Sequence, residues 1–215
     1  MENANLISST VQFVRDTLKN AEGGHDWWHI HRVWTNAKLI AKTEKAHLLT
    51  VELAALLHDI ADSKFHNGNE EIGPFTAGKY LQSVNAEAEV IEHVQQIIRH
   101  ISFKSSFDKP AFYSPELAIV QDADRLDAIG AIGIARAFNY GGFKGREIYN
   151  PEIEPNLNMN KEEYKNSPTP SINHFYEKLL LLKNKMNTAT GRKMAEQRHA
   201  FMETYLQQFY LECKP

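Results

Sequence analysis

The sequence feature that most constrains the fold is an apolar run at residues 53–57 that leads directly into His58 and Asp59. Its helical spacing predicts a buried helix, and a charged aspartate is excluded from a core unless a cation compensates it. A metal ion is one such cation, and a salt bridge to Arg32 or Arg125 is the alternative. Neighbouring side chains on a helix point about 100° apart, so a metal site here needs ligands from elsewhere in the chain.

Candidate partners for His58 and Asp59 are His29 upstream and Asp124 downstream, with Asp122 as an alternative to Asp124. The hypothesis is one divalent ion held by side chains from three helices. Two imidazoles and two carboxylates without sulfur suit Mn, Fe, Co, Ni or Mg and do not require Zn. We expect Mn²⁺, with Mg²⁺, Co²⁺, Ni²⁺, Fe²⁺ and Zn²⁺ as alternatives.

Apolar residues recur at three- and four-residue steps along most of the chain, and no useful strand pattern or internal repeat is present. This pattern predicts an all-α fold without a long coiled coil. A break or kink is expected near Gly130. The predicted helices are about 5–21, 26–45, one capped by Thr50 that ends at His58-Asp59, 75–84, 86–101, 116–138 and 172–212.

Three apolar stripes predict which helix faces are buried. The segment 172–212 carries two of them and is expected to be divided at Thr190-Gly191, with one continuous helix as the alternative. The stripes are Val90, Val94, Ile97, Ile98 and Ile101; Phe175, Leu179, Leu182 and Met186; and Phe201, Tyr205 and Phe209.

The length of 215 residues predicts a single domain with one substantial core. The core is expected at about 5–138 and the C-terminal helices at about 172–212. Between them, about 139–171 is rich in Asn, Pro and Gly and lacks an amphipathic period. A connection of this length is typical of a lid or binding loop over a site.

Charge and cysteine content exclude several classes of protein. The net charge of -3 comes from 24 basic and 27 acidic residues without long runs of one sign, so we expect no nucleic-acid or membrane partner. The single Cys213 excludes an intramolecular disulfide and a thiolate metal cage. Without a signal-type or membrane-spanning stretch, we expect a soluble cytoplasmic protein with a small-molecule partner. The sequence does not predict the oligomeric state.

The ordered set of residues 29–33, His58-Asp59 and residues 122–127 resembles the H…HD…D pattern of the HD-domain metal-dependent phosphohydrolase superfamily. Within it, the chain is similar to small single-domain bacterial nucleoside triphosphate pyrophosphohydrolases. The likeness also covers residues 24–27, 62–65, 121–136 and 173–179. It implies His29, rather than His31, as the first ligand, followed by His58, Asp59 and Asp124.

The resemblance also implies a role for Asp62, because an acid three residues after the central aspartate helps to orient or deprotonate the attacking water. If the helix persists, Asp62 lies about 300° round from Asp59 and emerges near the same rim. The alternative is that Asp62 only caps the turn.

A triphosphate would be repelled by the acidic groups unless cations flank the site. The candidate substrate-binding residues are Lys64, His100, Arg146 and Lys178. For each of these residues, the alternative is that its side chain is a solvated surface charge. His174 also matches a position of the family, but a structural role at a helix N-terminus explains this histidine equally well.

The residues by themselves indicate metal-assisted phosphoester or phosphoanhydride hydrolysis. The resemblance implies the finer reaction, from nucleoside triphosphate to monophosphate and pyrophosphate. The alternatives are a 5′-nucleotidase, a phosphodiesterase, an alarmone hydrolase, or a metal- and nucleotide-binding sensor without turnover.

Overall fold

The predicted all-α fold is confirmed by a computed structural model, which describes residues 3–19, 21, 24–61, 69–101, 112–157 and 169–213. Within these ranges there is no β-strand, and no helix is long and apolar enough to cross a membrane. The helices are α1 (Asn3–Thr17), α2 (Trp27–Ala41), α3 (Leu48–Leu57), α4 (Ile72–Ser83), α5 (Ala88–His100), α6 (Pro115–Asp127), α7 (Gly130–Phe143), α8 (Asn173–Glu177), the 3₁₀ helix Leu179–Lys185, and α9 (Ala189–Cys213).

The chain divides into two compact units, Met1–Ala123 and Asp124–Pro215, and the division falls within α6. In the first unit, α3 packs against α1, α2 and α5. Its residues Leu53, Leu56 and Leu57 are completely buried, as the apolar run predicts. The helix that leads into His58 is therefore a core helix, and it holds the end of the run in a fixed place.

The ends of α3 differ from the prediction. The helix begins at Leu48 with His47 at the N-cap, so Thr50 lies inside the first turn and does not cap it. It ends at Leu57, and His58 is the C-cap residue. Residues 58–61 do not continue the helix, so helical geometry no longer supports a position of Asp62 beside Asp59. Asp62 itself lies outside the described residues.

The predicted inner face of α5 is confirmed. Its apolar residues recur at three- and four-residue steps, and all of them are buried, including Val94 and Ile97 at 0% exposure. α5 packs against α3 and α4. A strict helical period of apolar residues opposite a polar face is the sequence pattern that predicts the buried face of a helix most directly.

In the second unit, the break expected near Gly130 is confirmed. α6 ends at Asp127, and α7 begins at Gly130, whose φ of +75° lies in the left-handed region that glycine adopts without a steric penalty. A Cβ added at Gly133 would lie 2.3 Å from the carbonyl oxygen of Ala128. The glycines therefore allow the chain to turn back closely on its own backbone.

The C-terminal prediction is wrong in two respects. The segment divides between Lys185 and Ala189, so Thr190 and Gly191 belong to the first turn of α9. The predicted second stripe is not the buried face, since Phe201 is 53% exposed. The buried residues of α9 are instead Gly191, Ala195, His199, Met202 and Leu206.

The other C-terminal stripe, represented by Phe175 and Leu182, is buried as predicted, although α8 and the 3₁₀ helix share it. The long connection starts later than predicted, because α7 continues to Phe143. Its role as a lid stays a prediction.

Candidate metal centre

Two helix ends position the predicted histidines of the first unit. Asp26 caps α2, and its carboxylate accepts a hydrogen bond of 2.9 Å from the backbone N–H of His29. The cap fixes the first turn of α2, where the side chain of His29 is only 1% exposed. At the other helix end, His58 follows α3 and its side chain is 2% exposed.

Three of the predicted ligands come together. The Nε2 atoms of His29 and His58 lie 3.2 Å apart. Oδ2 of Asp59 is 3.5 Å from Nε2 of His29 and 3.8 Å from Nε2 of His58. Two imidazole nitrogens and a carboxylate oxygen thus form a small triangle, as a mixed nitrogen and oxygen metal site requires.

The hydrogen bonding of His58 fits a metal ligand. Its Nδ1 lies 2.9 Å from the carbonyl oxygen of Ala55. A carbonyl only accepts, so Nδ1 carries the proton and the lone pair is on Nε2, which faces His29. Metal-ligating histidines typically donate their other ring N–H in this way. Metal–nitrogen bonds of about 2.0–2.1 Å allow both Nε2 atoms to reach one ion.

The surroundings of Asp59 favour its ionised form. Burial raises the pKa of this carboxyl, but the electrostatic influence of His58 and the side-chain hydrogen bonds with His25 and His29 outweigh burial, so the pKa lies well below its usual value. Asp59 is therefore an anion at neutral pH. Its side chain contacts His25, His29 and His58. The guanidinium of Arg125 donates to the carbonyl oxygen of Lys185.

Sequence reasoning does not identify His25, which lies in the matching flank at residues 24–27. Its Nδ1 lies 2.6 Å from Oδ2 of Asp59, 34 residues further along the chain. Potential ligand atoms of His25, His29 and Asp59 all lie within 4.8 Å of one another. The local sequence gives no signal for this contact, because it depends on how the turn before α2 approaches the end of α3.

The two aspartates that compete for the last ligand position lie close together on α6. Asp122 is completely buried at 0% exposure. Asp124 is partly exposed and is the first residue of the second unit. Its assignment as a ligand stays a prediction.

The candidate substrate-binding residues are distributed over both units. In the first unit, Nδ1 of His100 donates to the carbonyl oxygen of Gln96 at 2.9 Å. Arg146 and Lys178 belong to the second unit, and Lys64 lies outside the described residues. The substrate-binding roles of these four residues stay predictions.

Arg146 and Lys178 both influence His174 in the second unit. The backbone N–H of Ser171 donates to the carbonyl oxygen of Glu147 at 2.9 Å, which brings the segment after Arg146 beside the start of α8. Burial, followed by the positive charges of Lys178 and Arg146, lowers the pKa of His174 to about 3. His174 is therefore a neutral imidazole between two cations at physiological pH.

Helical architecture together with a triangle of two histidines and the aspartate of a His-Asp pair defines a class of metal-dependent hydrolases. The HD domain family matches residues 27–129 of this chain. The Bacillus subtilis protein YpgQ is 38% identical over 200 residues, which are 91% of this chain and 88% of YpgQ. The chain belongs to the HD-domain family of metal-dependent phosphohydrolases.

Solved structures agree with this assignment over nearly the whole chain. A protein from Lactobacillus plantarum is 39% identical with a TM-score of 0.85, and the match covers 99% of this chain and 98% of that one. An HD-superfamily hydrolase from Bacillus thuringiensis is 42% identical with a TM-score of 0.76, with 98% and 97% covered. YpgQ in complex with ADP is 35% identical with a TM-score of 0.78, with 99% and 97% covered.

Proposed function

We propose that this protein hydrolyses nucleoside triphosphates to monophosphates and pyrophosphate with one divalent ion, Mn²⁺. The observation that carries the proposal is the triangle of Nε2 of His29, Nε2 of His58 and Oδ2 of Asp59, with sides of 3.2, 3.5 and 3.8 Å. The ADP bound to YpgQ supports a nucleotide as the substrate class.

In this proposal, His29, His58, Asp59 and Asp124 are the protein ligands. These side chains would hold a divalent ion, which would supply activation of water and offset of the charge on the phosphoryl oxygens. The donation from His58 to Ala55 fixes the ring so that its lone pair is directed at the site. The low pKa of Asp59 supplies a carboxylate anion at neutral pH, and this anion attracts the cation.

The remaining roles follow from the resemblance and from charge balance. Asp62 orients the attacking water and accepts its proton. The substrate adds several negative charges to a site that already holds carboxylates, so cationic side chains are needed to offset the repulsion between them. Lys64, His100, Arg146 and Lys178 are the candidates for these substrate contacts.

The test separates the possible reactions by their products. The full chain is stripped of metal, reloaded with Mn²⁺, Co²⁺, Ni²⁺ or Mg²⁺, and incubated with mixed nucleotides in H₂¹⁸O. Attack on the α-phosphorus places ¹⁸O in the monophosphate, whereas attack on the β-phosphorus places it in pyrophosphate. We expect labelled monophosphate and unlabelled pyrophosphate, detected by mass spectrometry. Release of inorganic phosphate alone, or tight nucleotide binding without turnover, would contradict the proposal.

The first prediction concerns Asp59→Ala. Losing an anionic ligand should reduce Mn²⁺-dependent kcat/KM by about 1000-fold or more, which is roughly 4 kcal/mol of transition-state stabilisation. The matched control is Asp16→Ala, which removes an exposed acid whose carboxylate accepts hydrogen bonds from the side-chain amide of Gln12 on α1. Circular dichroism checks that both variants are folded. Full activity of the Asp59 variant would show that this triangle is not the catalytic metal site.

A further inference from the structure

The turn before α2 makes a short contact with the candidate metal centre. Nδ1 of His25 lies 2.6 Å from Oδ2 of Asp59, slightly shorter than the roughly 2.7–2.9 Å of a charge-assisted N–H···O hydrogen bond. Both side chains are about a quarter exposed, at 25% and 24%, so the contact lies at the edge of the site. The ring of His25 also meets that of His29 edge-on, with centroids 5.8 Å apart.

The direction of this hydrogen bond decides what His25 can do. A carboxylate that ligates a metal ion is ionised and can only accept a hydrogen bond, so Nδ1 of His25, 2.6 Å from Oδ2 of Asp59, is the donor. A ring nitrogen that carries a proton has no lone pair for a metal. The atom of His25 that approaches the centre therefore cannot be a ligand while the contact persists.

The place of Asp59 in a turn explains why a hydrogen-bond partner is needed to orient its carboxylate. Asp59 follows the C-cap residue of α3, in a turn where the N–H of Ile60 bonds to the carbonyl of Leu57 at 3.2 Å, and no continuing helix holds it. Its contacts with His29 and His58, at 3.5 and 3.8 Å, are longer than ordinary hydrogen bonds. The contact with His25 is the shortest that the Asp59 side chain makes within the described residues.

One short segment therefore constrains ligands from two helices. Asp26 fixes the backbone of His29, while its neighbour His25 fixes the carboxylate of Asp59. We propose that His25 is a positioning residue, which holds the Asp59 carboxylate in the orientation that binds the metal and is not itself a ligand. This inference rests on the metal centre of the proposed function.

The prediction compares His25→Ala with His25→Asn. The Asn side-chain amide can place an N–H near the position of the imidazole Nδ1, and this amide nitrogen donates a hydrogen bond but has no lone pair that can bind Mn²⁺. His25→Ala should weaken Mn²⁺ binding about 10- to 100-fold, the usual effect of losing an outer partner of a metal ligand. His25→Asn should restore most of the affinity, and both variants should still bind one ion per chain.

Binding is measured without nucleotide, by calorimetry and by the electron paramagnetic resonance signal of unbound Mn²⁺. The matched control is His93→Ala, which removes another histidine of the first unit that contacts an acid, with Nε2 of His93 3.5 Å from Oε2 of Glu116. His93 lies outside the metal group, so its loss should leave Mn²⁺ affinity unchanged. His25→Asn keeps the test decisive if His25→Ala fails to fold.

Two results would overturn the positioning role: unchanged affinity in both His25 variants, or equal losses in both without rescue by Asn, which would make His25 a ligand. If the unaltered protein binds no Mn²⁺, the metal centre and the inference fail together. If it binds Mn²⁺ but releases no pyrophosphate, the proposed function fails, while the binding comparison still decides the role of His25.

Discussion

Hydrogen bonds to single atoms decide which imidazole nitrogens can serve a metal. The carbonyl oxygen of Ala55 accepts a hydrogen bond from Nδ1–H of His58, which directs the other ring nitrogen to the centre. At His25 the carboxylate of Asp59 accepts the corresponding hydrogen bond, and the nitrogen that approaches the centre is the one that carries the proton. The same side chain can thus be a ligand or a positioning residue, depending on which atom faces an acceptor.

His174 provides a prediction about pH. Its pKa is lowered to about 3 from an ordinary value of 6.5 by burial, assisted by Lys178 and Arg146. Between those pH values the unfolded chain binds one more proton here than the folded chain. The contribution is complete above pH 6.5 and is lost as pH falls, by about 1.4 kcal/mol per pH unit for this group.

The expected measurement is an NMR titration in which the His174 ring does not protonate above about pH 4 while the protein stays folded. His174→Gln should make the fall in unfolding free energy between pH 6.5 and 4.5 shallower. Lys178→Met should raise the midpoint of the His174 titration, because it removes one of the two cations. A midpoint near 6.5 in the unaltered protein would contradict the neutral imidazole inferred here.

The His58-Asp59 pair of the triangle could be found from the sequence because a charged aspartate after an apolar run is costly in a core without compensation, whereas the choice of His29 came from the family resemblance. His25 could not be found in this way. Its partner Asp59 is 34 residues away, and neither the turn before α2 nor the turn after α3 has a periodic pattern that fixes side-chain directions. Short-range patterns locate such groups on the chain, whereas contacts between turns depend on tertiary packing.

At the scale of the element, α5 and α9 show when periodicity succeeds. The aliphatic stripe of α5 was correctly predicted because its opposite face is polar. On α9 the aromatic residues Phe201, Tyr205 and Phe209 suggested a core face, but small residues such as Ala195 allow closer packing on another face. Side-chain size alone does not identify the buried side of a helix that carries apolar residues on several faces.

The turn between α6 and α7 supplies a prediction with its control in the same helix. Gly133→Ala would place Cβ 2.3 Å from the carbonyl oxygen of Ala128, so the backbone must shift. We expect a loss of roughly 1–3 kcal/mol in the free energy of unfolding, measured by urea denaturation. Gly142→Ala meets nothing within 4 Å and should be neutral or stabilising by up to about 1 kcal/mol. Equal effects of the two substitutions would contradict the close approach.

At the scale of the whole molecule, metal binding is linked to folding because the ligands converge only in the folded chain. His29 and His58 are 29 residues apart, yet their Nε2 atoms are separated by 3.2 Å. Unfolding separates them and releases the ion, so any ion bound to the native state opposes unfolding. This stabilisation does not depend on catalysis, so measuring it tests the metal centre independently of the substrate.

This linkage gives the last prediction. At a Mn²⁺ concentration 100 times the dissociation constant, binding to the native state contributes about 2.7 kcal/mol. For a chain of 215 residues this corresponds to a rise in Tm of roughly 5–10 °C, which a scan with and without Mn²⁺ measures. A chelator should reverse the rise, Asp59→Ala should abolish it, and Asp16→Ala should preserve it. The effect should be smaller if the histidines of the unfolded chain also bind Mn²⁺. An equal rise in the Asp59 variant would place the stabilising ion elsewhere, because a carboxylate that ligates the ion cannot be removed without weakening its binding.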